Sequence, residues 1–317
     1  MSDAVIEYVQ VSKWYGQVLG LRDVTLQLRP GIIGLLGPNG AGKSTFLKVM
    51  TGEISPSRGE VRLFGRRVPD AETFRRVGYA PEIEVFFEEL SGFEFVRALA
   101  EVHGFPRKEA EDRARAALVK VGLEKAMDRR VSTYSKGMRQ RTKLAQALLH
   151  DPAVILLDEP MTGLDPLARA QMVELIQELG AQGRTVVVSS HILDEVEAMT
   201  REIVVLWQGQ LLAQGDLHAI RGLIDRHPHH VTLTCDRPRE LASALIADPS
   251  VHAVRVHEPE TVEVETHAPD ACYTAIPRVA QARGVALRAL ASPDDNLAAV
   301  FRYLTAGPRA AIRGGAA

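Results

Sequence analysis

The sequence predicts a doubly wound α/β fold followed by a smaller α+β domain. Two short apolar runs, Ala153–Leu157 and Thr185–Ser189, flank one helical segment, and this strand–helix–strand order is typical of a buried parallel sheet. A third apolar run, Gly31–Leu36, ends in a glycine-rich turn. We expect a second domain because the chain has 317 residues, whereas single hydrophobic cores stop growing at roughly 250–300 residues.

The elements of the first domain follow in order along the chain. The first thirty residues alternate apolar and polar side chains, which predicts strands, and Gly31–Leu36 is the strand that feeds the glycine-rich turn. A helix from Ser44 to Thr51 and a strand from Glu60 to Phe64 come next. From about 91 to 149 the pattern is mainly helical, as in Arg107–Val121. This stretch predicts a helical insert within the α/β core.

The composition changes near residue 218. Seven of the ten histidines lie from His218 onward, and the run His-Pro-His-His at 227–230 interrupts a helix-like stretch. We therefore expect a first domain over 1–217, a linker over 218–230 and a second domain over 231–305. The tail over 306–317 is rich in Gly, Ala and Arg, which predicts disorder.

The second domain is predicted to have the order β-α-β-β-α-β, with one more helix at its end. This order is that of a split-βαβ, ferredoxin-like unit. The predicted strands are Val231–Thr234, Val251–His257, Thr261–Thr266 and Val285–Leu290, and the predicted helices are Pro238–Ala247, Ala271–Arg283 and Asn296–Leu304.

Composition also limits the possible functions. The net charge of −2 gives no electrostatic footprint for nucleic acid, so we expect no such partner. The two cysteines, Cys235 and Cys272, have no metal-type or redox-type spacing, which fits a reducing compartment. The N-terminus lacks the regions of a signal peptide, and no apolar run approaches the roughly 20 residues of a membrane-spanning helix. We expect a cytoplasmic protein that can act at a membrane without crossing it.

Residues 37–45 match the phosphate-binding pattern G-x-x-x-x-G-K-[ST] between a strand and a helix. Gly40 and Gly42 let the backbone wrap around phosphate oxygens, and the helix N-terminus offers free N–H groups. Lys43 is expected to reach the β and γ phosphates, and Ser44 to ligate Mg²⁺. The predicted nucleotide-binding residues of this loop are Gly37, Pro38, Asn39, Gly40, Ala41, Gly42, Lys43, Ser44 and Thr45. The loop alone leaves GTPases, kinases, helicases and motors open.

Two adjacent carboxylates, Asp158 and Glu159, end the apolar run that begins at Ala153. A phosphate loop that binds Mg²⁺ needs a second metal ligand, and Asp158 is expected to hold the ion through water. Glu159 is expected to accept the proton of the attacking water. The pair therefore predicts nucleotide hydrolysis.

The segment Tyr134–Arg141, with the sequence Tyr-Ser-Lys-Gly-Met-Arg-Gln-Arg, resembles the signature motif that defines ABC ATPases. Further elements that resemble those of the family occur in order over approximately residues 4–215. They are the adenine-stacking aromatic Tyr15, the Q-loop residue Glu82, the D-loop residue Asp165 and the switch histidine His191.

The resemblance implies an α/β P-loop NTPase cassette with a mixed-sheet core, an antiparallel β-subdomain and a helical insert at about 84–150. It implies that the chain binds ATP and Mg²⁺, hydrolyses ATP and serves a separate transmembrane permease subunit. Glu159 would be the general base, His191 would stabilise the γ-phosphate, and Asp165 would report across a dimer interface. A single cassette implies a dimer, most simply a homodimer. In it, the signature residues Ser135, Lys136, Gly137 and Met138 would contact the ATP of the partner.

Two departures from the family pattern narrow the resemblance. The common Leu-Ser-Gly-Gly-Gln is Tyr-Ser-Lys-Gly-Met here, and the Q-loop glutamine is Glu82. A carboxylate can still ligate metal, so the expected Mg²⁺ ligands are Ser44, Asp158 and Glu82, but it cannot donate a hydrogen bond to water. Both departures resemble the motifs of the ABC-2 branch. This resemblance implies the ATPase subunit of an exporter, bound at the cytoplasmic face of the membrane. The alternatives are the ATPase of a metal-enzyme maturation complex, such as the nitrous-oxide-reductase system, and a non-transport ABC ATPase.

Two further clusters suggest contacts. Five of the nine phenylalanines lie between 86 and 105. We expect Phe86 and Phe87 to be the exposed pair, and the segment Glu82–Leu90 to be the contact with the membrane partner. The other cluster is the histidine group His227, His229 and His230, with Cys235 nearby, which is either a polar linker or a copper or zinc site.

Overall fold

The computed structural model describes residues 4–217 and 229–292. The chain divides into two compact units, one ending at Leu217 and the other beginning at His218. None of the helices in the described residues has the length and apolar character needed to cross a bilayer.

The first unit contains an antiparallel sheet with the strand order β2-β1-β4-β5. Tyr8 in β1 is fully buried, its ring stacks on Phe46, and its hydroxyl donates to the Phe46 carbonyl at 2.6 Å. Because Phe46 lies in the helix after the phosphate loop, this contact fixes that helix against the sheet. The strands are β1 Ile6–Tyr15, β2 Val18–Leu28, β4 Arg58–Leu63 and β5 Arg66–Arg67.

A six-stranded sheet with the order β10-β9-β3-β8-β7-β6 forms the core of this unit. Its strands are β3 Ile32–Leu36, β6 Val77–Ala80, β7 Val154–Leu157, β8 Thr185–Ser190, β9 Glu202–Trp207 and β10 Gln210–Asp216. The first five are parallel and β10 is antiparallel to β9. Every residue of β7 and β8 is buried, as a parallel sheet covered on both faces requires.

The parallel strands place the predicted site residues at one edge. Gly37, Asp158 and His191 each follow the carboxyl end of a neighbouring strand, namely β3, β7 and β8. In open α/β sheets, ligands bind outside this edge. The topology alone therefore brings together motifs that are more than a hundred residues apart in sequence.

Seven helices of the first unit lie in the described residues. The insert consists of α3, α4 and α5, with a 3₁₀ turn at Val131–Thr133. A capping box between Ser91 and Glu94 starts α3, and buried alanines, such as Ala110 and Ala114, let α4 pack closely. The helices are α1 Lys43–Met50, α2 Ala71–Phe74, α3 Gly92–Val102, α4 Arg107–Lys120, α5 Lys136–Leu148, α6 Pro166–Ala181 and α7 Leu193–Glu197.

The second unit is a four-stranded antiparallel sheet with the order β12-β13-β11-β14 and two helices. This is the split-βαβ arrangement that the sequence predicts. Its elements are β11 His229–Cys235, α8 Pro238–Leu245, β12 Ala253–His257, β13 Thr261–Thr266, α9 Pro269–Ala282 and β14 Leu287–Ala291. The predicted final helix and tail lie outside the described residues.

The predicted fold class is confirmed, while several predicted ends are wrong by two residues. Helix α9 begins at Pro269 rather than Ala271, because proline fits the first helical turn, where its missing N–H costs nothing. Strand β12 begins at Ala253 rather than Val251, and α8 ends two residues before Ala247.

Candidate active site

A cleft of about 400 Å³ lies at the carboxyl edge of the core sheet. It brings together most of the predicted site residues: Tyr15, Pro38, Asn39, Gly40, Gly42, Lys43, Ser44, Thr45, Glu82 and Glu159. Val18, Leu19 and Gly20 from β2 complete it, and the sequence analysis missed them because they belong to no motif. A larger groove of about 770 Å³ at the other end of β3 contains none of the predicted residues, so we place the site in the smaller cleft.

The phosphate loop requires glycine at position 42. Gly42 has a φ of +103° and caps α1, and a Cβ there would lie 2.6 Å from the carbonyl oxygen of Gly20. A side chain would therefore be strained and would clash with the backbone of β2. The loop backbone thus passes close to β2 and leaves the N-terminus of α1 facing the cleft.

Lys43 lies over this loop with only 6% of its surface exposed. Its ammonium donates to the carbonyl of Gly37 at 2.7 Å and of Pro38 at 3.3 Å. It also lies 3.1 Å from Glu159 Oε1, where the geometry gives an ion pair without an aligned hydrogen bond. The predicted phosphate ligand and the predicted base are therefore in contact.

Glu159 is the second residue after β7 and has a left-handed backbone with a φ of +49°. This conformation aims its carboxylate into the cleft, where Oε2 lies 2.9 Å from Nδ1 of His191. A carboxylate only accepts hydrogen bonds, so Nδ1 carries the proton in this contact. Lys43, Glu159 and His191 thus form a continuous chain of polar contacts, of which Lys43 and Glu159 line the cleft.

Asp158 is almost fully buried and bonds to a residue that the sequence analysis missed. Ser189 Oγ donates to Asp158 Oδ1 at 2.6 Å and accepts from the backbone N–H of Glu159 at 2.8 Å. One hydroxyl on β8 therefore orients both carboxylate residues that follow β7. The available signal was a serine pair, Ser189 and Ser190, at the end of an otherwise apolar strand.

Tyr79 on β6 is a second missed residue. Its hydroxyl is buried beside Asp158 and has no well-aligned hydrogen-bond partner in the described residues. Burial, and then the negative charges of Asp158, Glu53 and Glu82, raise the pKa of Tyr79 well above its usual value. The hydroxyl stays protonated and is available to donate beside Asp158.

The oxygen atoms of the site suit Mg²⁺. The ion prefers hard oxygen ligands, and in phosphate sites it takes one or two from protein and the rest from phosphate and water. The hydroxyl of Ser44 and the carboxylate of Glu82, which line the cleft, are such donors. The carboxylate of Asp158, next in sequence to the lining residue Glu159, is a third. No group of three or more histidine, cysteine or acidic side chains in residues 4–217 and 229–292 is arranged to hold a metal without phosphate.

The predicted signature residues line a different cleft, of about 510 Å³. Ser135 caps α5 by accepting from the N–H of Met138 at 3.3 Å, and Asp165 caps α6 by accepting from that of Ala168 at 2.8 Å. Lys136 and Gly137 line the same cleft. This cleft and the phosphate-loop cleft share no lining residue. One chain therefore does not bring its signature to its own phosphate loop.

One expectation about the phenylalanine cluster needs correction. Phe86 is half-buried because its ring packs edge-on against Phe95 at 5.1 Å, so only Phe87 of the expected exposed pair is exposed. Ile83 and Val85 are the other large apolar side chains exposed in this segment.

The described part of the histidine group does not converge. His229 and His230 are adjacent on β11, so their side chains point to opposite faces of the sheet. Cys235 lies at the far end of the same strand, fully buried, and burial raises the pKa of its thiol. His227 lies outside the described residues.

Comparison with known proteins assigns the cassette. The ABC transporter family model matches residues 21–162. An uncharacterized ABC transporter ATP-binding protein of Synechocystis sp. is 41% identical over 228 residues, which are 69% of this chain and 64% of the relative. The chain therefore spans slightly less than two thirds of that relative. The Nod factor export ATP-binding protein I of Burkholderia thailandensis is 36% identical over 68% of this chain and 72% of its own length.

Solved structures agree. The ATP-binding subunit of an ABC transporter is 35% identical, with a TM-score of 0.61 over 69% of this chain and 92% of that one. A dimeric ATP-binding cassette in a post-hydrolysis state, bound to ADP and Pi, is 25% identical, with a TM-score of 0.60 over 67% and 98%. The chain therefore belongs to the ABC transporter family.

Proposed function

We propose that this chain binds MgATP and hydrolyses it to ADP and phosphate as the ATP-binding subunit of an ABC-2-type transporter. The observation that carries the proposal is the chain of contacts Lys43–Glu159–His191 at the phosphate loop. It joins a phosphate ligand, a general base and a γ-phosphate ligand in one cleft. Relatives named ATP-binding proteins support the nucleotide assignment.

Each part of the cleft has a role in binding. The exposed ring of Tyr15, whose hydroxyl lies 3.4 Å from Thr45 Oγ1, is placed to stack on adenine at the open end. The N–H groups at the start of α1 and the Lys43 ammonium bind the phosphates. Ser44, Asp158 and Glu82 would hold Mg²⁺, which neutralises charge on the β and γ phosphates.

The ion pair between Lys43 and Glu159 suggests how the base is released. When phosphate oxygens lie in the loop, they compete with the Glu159 carboxylate for the Lys43 ammonium. Oε1 is then free to accept a proton from water as that water attacks the γ-phosphorus and the bond to the β-phosphate oxygen breaks. His191, whose Nδ1 donates to Glu159, would present Nε2 towards the γ-phosphate and would donate to it when both ring nitrogens carry a proton.

The separation of the two clefts supports a homodimer. Ser135, Lys136, Gly137 and Met138 cannot complete the phosphate site of their own chain, but a second copy turned head to tail would place them on it. Exposed Leu167, at the start of α6, lies next to Asp165 on this face. A related cassette bound to ADP and Pi is a dimer.

The membrane partner is proposed to bind the segment after Glu82. Ile83, Val85 and Phe87 expose 70%, 75% and 68% of their surface, which is more apolar exposure than a solvated loop requires. A glutamate at the Q-loop position, Glu82, resembles the pattern of the exporter branch. We therefore favour export through a separate transmembrane subunit that this chain binds at the cytoplasmic face. None of the described histidine contacts favours the metal-enzyme maturation alternative.

The Glu159→Gln variant tests hydrolysis. Glutamine keeps the shape of the side chain but cannot accept the proton, so phosphate release should fall by at least about a hundredfold. MgATP should then accumulate on a stable dimer, detected by light scattering and by retained nucleotide.

Glu174→Gln is the matched control, since this exposed glutamate of α6 lies outside both clefts. An undiminished rate in Glu159→Gln would refute Glu159 as the base. If the rate falls as expected but no dimer forms, the proposal that two chains share each site is refuted, while Glu159 remains the proposed base.

A further inference from the structure

Residues 81–90, which we call the connecting segment, join β6 to α3 without a helix or strand. The connecting segment contains four glutamates, at positions 82, 84, 88 and 89, together with its exposed apolar side chains. Such a sequence, without regular secondary structure, depends on other elements to hold its shape.

Arg139 of α5 makes the main contact to this segment. Its guanidinium binds both carboxylate oxygens of Glu88, at 2.7 Å each, and lies 3.7 Å from Glu84. It also lies 5.6 Å from the ring centre of Phe86 and donates to the Val131 carbonyl at 3.3 Å. Two-pronged pairing of this kind fixes both distance and orientation.

Lys143 provides a second contact one helical turn later. Its ammonium donates to the backbone carbonyl of Glu82 at 2.9 Å, and the residue is 3% exposed. Residues four apart lie on the same helix face. Arg139 and Lys143 therefore contact the connecting segment near its two ends, at Glu88 and Glu82, from one side of α5. Glu82 also lines the phosphate-loop cleft.

The position of Arg139 within α5 gives this contact a further meaning. It directly follows Met138, the last of the signature residues, and α5 begins at Lys136. A displacement at the signature end of the helix would therefore reach the Glu88 carboxylate through Arg139, whereas the backbone carbonyl of Glu88 accepts from the N–H of Ser132 at 3.2 Å. In sequence, the exposed residues Val85 and Phe87 lie between Glu82 and Glu88, the two residues that Lys143 and Arg139 bind.

We propose that Arg139 is a positioning residue that makes the exposed apolar surface of the connecting segment respond to nucleotide at the signature end of α5. Lys143 holds the backbone of Glu82 in place, and Arg139 transmits a displacement of α5 to Glu88. The inference rests on the proposed function, because the signature must meet nucleotide across a dimer. It predicts that loss of Arg139 separates nucleotide binding from the response of the segment.

A site-specific fluorophore measures that response. Both native cysteines, Cys235 and Cys272, are buried, and burial raises the pKa of each thiol, so they react slowly with maleimides. A Val85→Cys substitution gives one exposed thiol for an environment-sensitive dye. Glu159→Gln in the same chain retains MgATP, and a light-scattering titration with MgATP measures dimer formation independently.

We expect MgATP to change the emission of the Val85→Cys label in the Glu159→Gln chain. Adding Arg139→Gln should reduce that change by at least about twofold, while the MgATP concentration for dimer formation stays the same. Arg139→Lys should behave like Arg139→Gln, because a lysine cannot pair with both oxygens of Glu88. Exchanging the partners, Arg139→Glu with Glu88→Arg, should restore part of the response.

Arg113→Gln is the matched control. Arg113 also pairs with a glutamate, Glu109 at 2.8 Å, and lies over a phenylalanine ring, that of Phe105 at 4.1 Å, but it belongs to α4. It should leave the response intact. An undiminished response in Arg139→Gln, or an equal loss in Arg113→Gln, would overturn the proposal. If the Glu159→Gln parent neither binds MgATP nor dimerises, the proposed function itself is wrong.

Discussion

Lys43 and Glu159 are the residues on which both binding and chemistry depend. Their side chains expose only 6% and 7% of their surface and lie 3.1 Å apart. A buried ion pair contributes little net stability, because desolvation of both groups offsets their attraction, but loss of one partner leaves a buried charge without compensation. Without bound phosphate, Glu159 therefore compensates the buried positive charge of Lys43.

Lys43→Ala should weaken MgATP binding and also destabilise the first unit by about 3 kcal/mol, since the buried Glu159 carboxylate would keep its contacts with His191 and Thr162 but lose its ion pair. Urea unfolding followed by tryptophan fluorescence measures this, because both tryptophans, Trp14 and Trp207, lie in the first unit. The double variant Lys43→Ala, Glu159→Gln should recover part of the stability but none of the binding. A double variant no more stable than Lys43→Ala would show that the two side chains do not interact.

At the scale of elements, a histidine pair joins the helical insert to the core. His150, just after α5, stacks on His103, just after α3, with ring centres 4.4 Å apart. His150 Nε2 donates to the Val77 carbonyl at 3.0 Å, and its buried Nδ1 has no hydrogen-bond partner among the residues that the structure describes. Burial, and then the neighbouring charge of His103, lower the pKa of His150 to about 4, while Arg113 and Asp151 act in opposite directions.

This shift predicts a loss of stability in mild acid. Between pH 6.5 and 4 the unfolded chain binds a proton at His150 that the folded chain does not, so the free energy of unfolding falls as the pH falls through that window. Above pH 6.5 both states are neutral at this residue and the contribution vanishes. His150→Gln should remove about 1–2 kcal/mol of this pH dependence, a value reduced for partial solvent access.

Urea midpoints of the first unit at pH 4.5 and 7 test the His150 prediction. His257→Gln, an exposed histidine of the second unit, is the control and should leave the tryptophan transition unchanged. The same acid sensitivity in His150→Gln as in the parent would assign it to other groups.

The elements that carry a motif could be predicted from the sequence, and those that depend on long-range contacts could not. The phosphate loop lies within nine consecutive residues whose backbone conformation glycine dictates locally. The bond from Ser189 to Asp158 joins two strands 31 positions apart, and that from Arg139 to Glu88 spans 51 positions. No local pattern marks such pairs, because only the sheet order and the packing of α5 bring them together. Phe86 was assigned to the surface for the same reason, since its partner Phe95 lies on the next helix.

At the scale of the whole molecule, each unit has a hydrophobic core of its own. The main core cluster of the first unit includes Phe46 and Leu156, and that of the second includes Leu233 and Val264, and no residue belongs to both. Separate cores of this kind are expected to give separate unfolding transitions. Ligand binding then stabilises only the transition of the unit that binds it.

Leu233→Ala should destabilise the second unit by about 2–5 kcal/mol, because it leaves a cavity at a fully buried position of β11. Calorimetry should show the corresponding transition shifted down, while the tryptophan transition of the first unit, and its increase with MgATP, stay unchanged. Ile246→Ala, at an exposed position of the same unit, should have little effect. A tryptophan transition that falls with Leu233→Ala would show that the units unfold together.

The left-handed backbone of Glu159 sets selection for activity against selection for stability. Glycine adopts this conformation freely and asparagine adopts it readily, whereas glutamate does so at a cost of about 1 kcal/mol. A lineage that keeps glutamate there retains a less stable fold in exchange for a working base. If turnover ceased to matter, glycine or asparagine at this position would be favoured on stability grounds once the Lys43 charge was also lost, because Lys43 would otherwise remain a buried charge without compensation. The residue found at this position in descendants of the chain is therefore a record of whether hydrolysis has remained under selection.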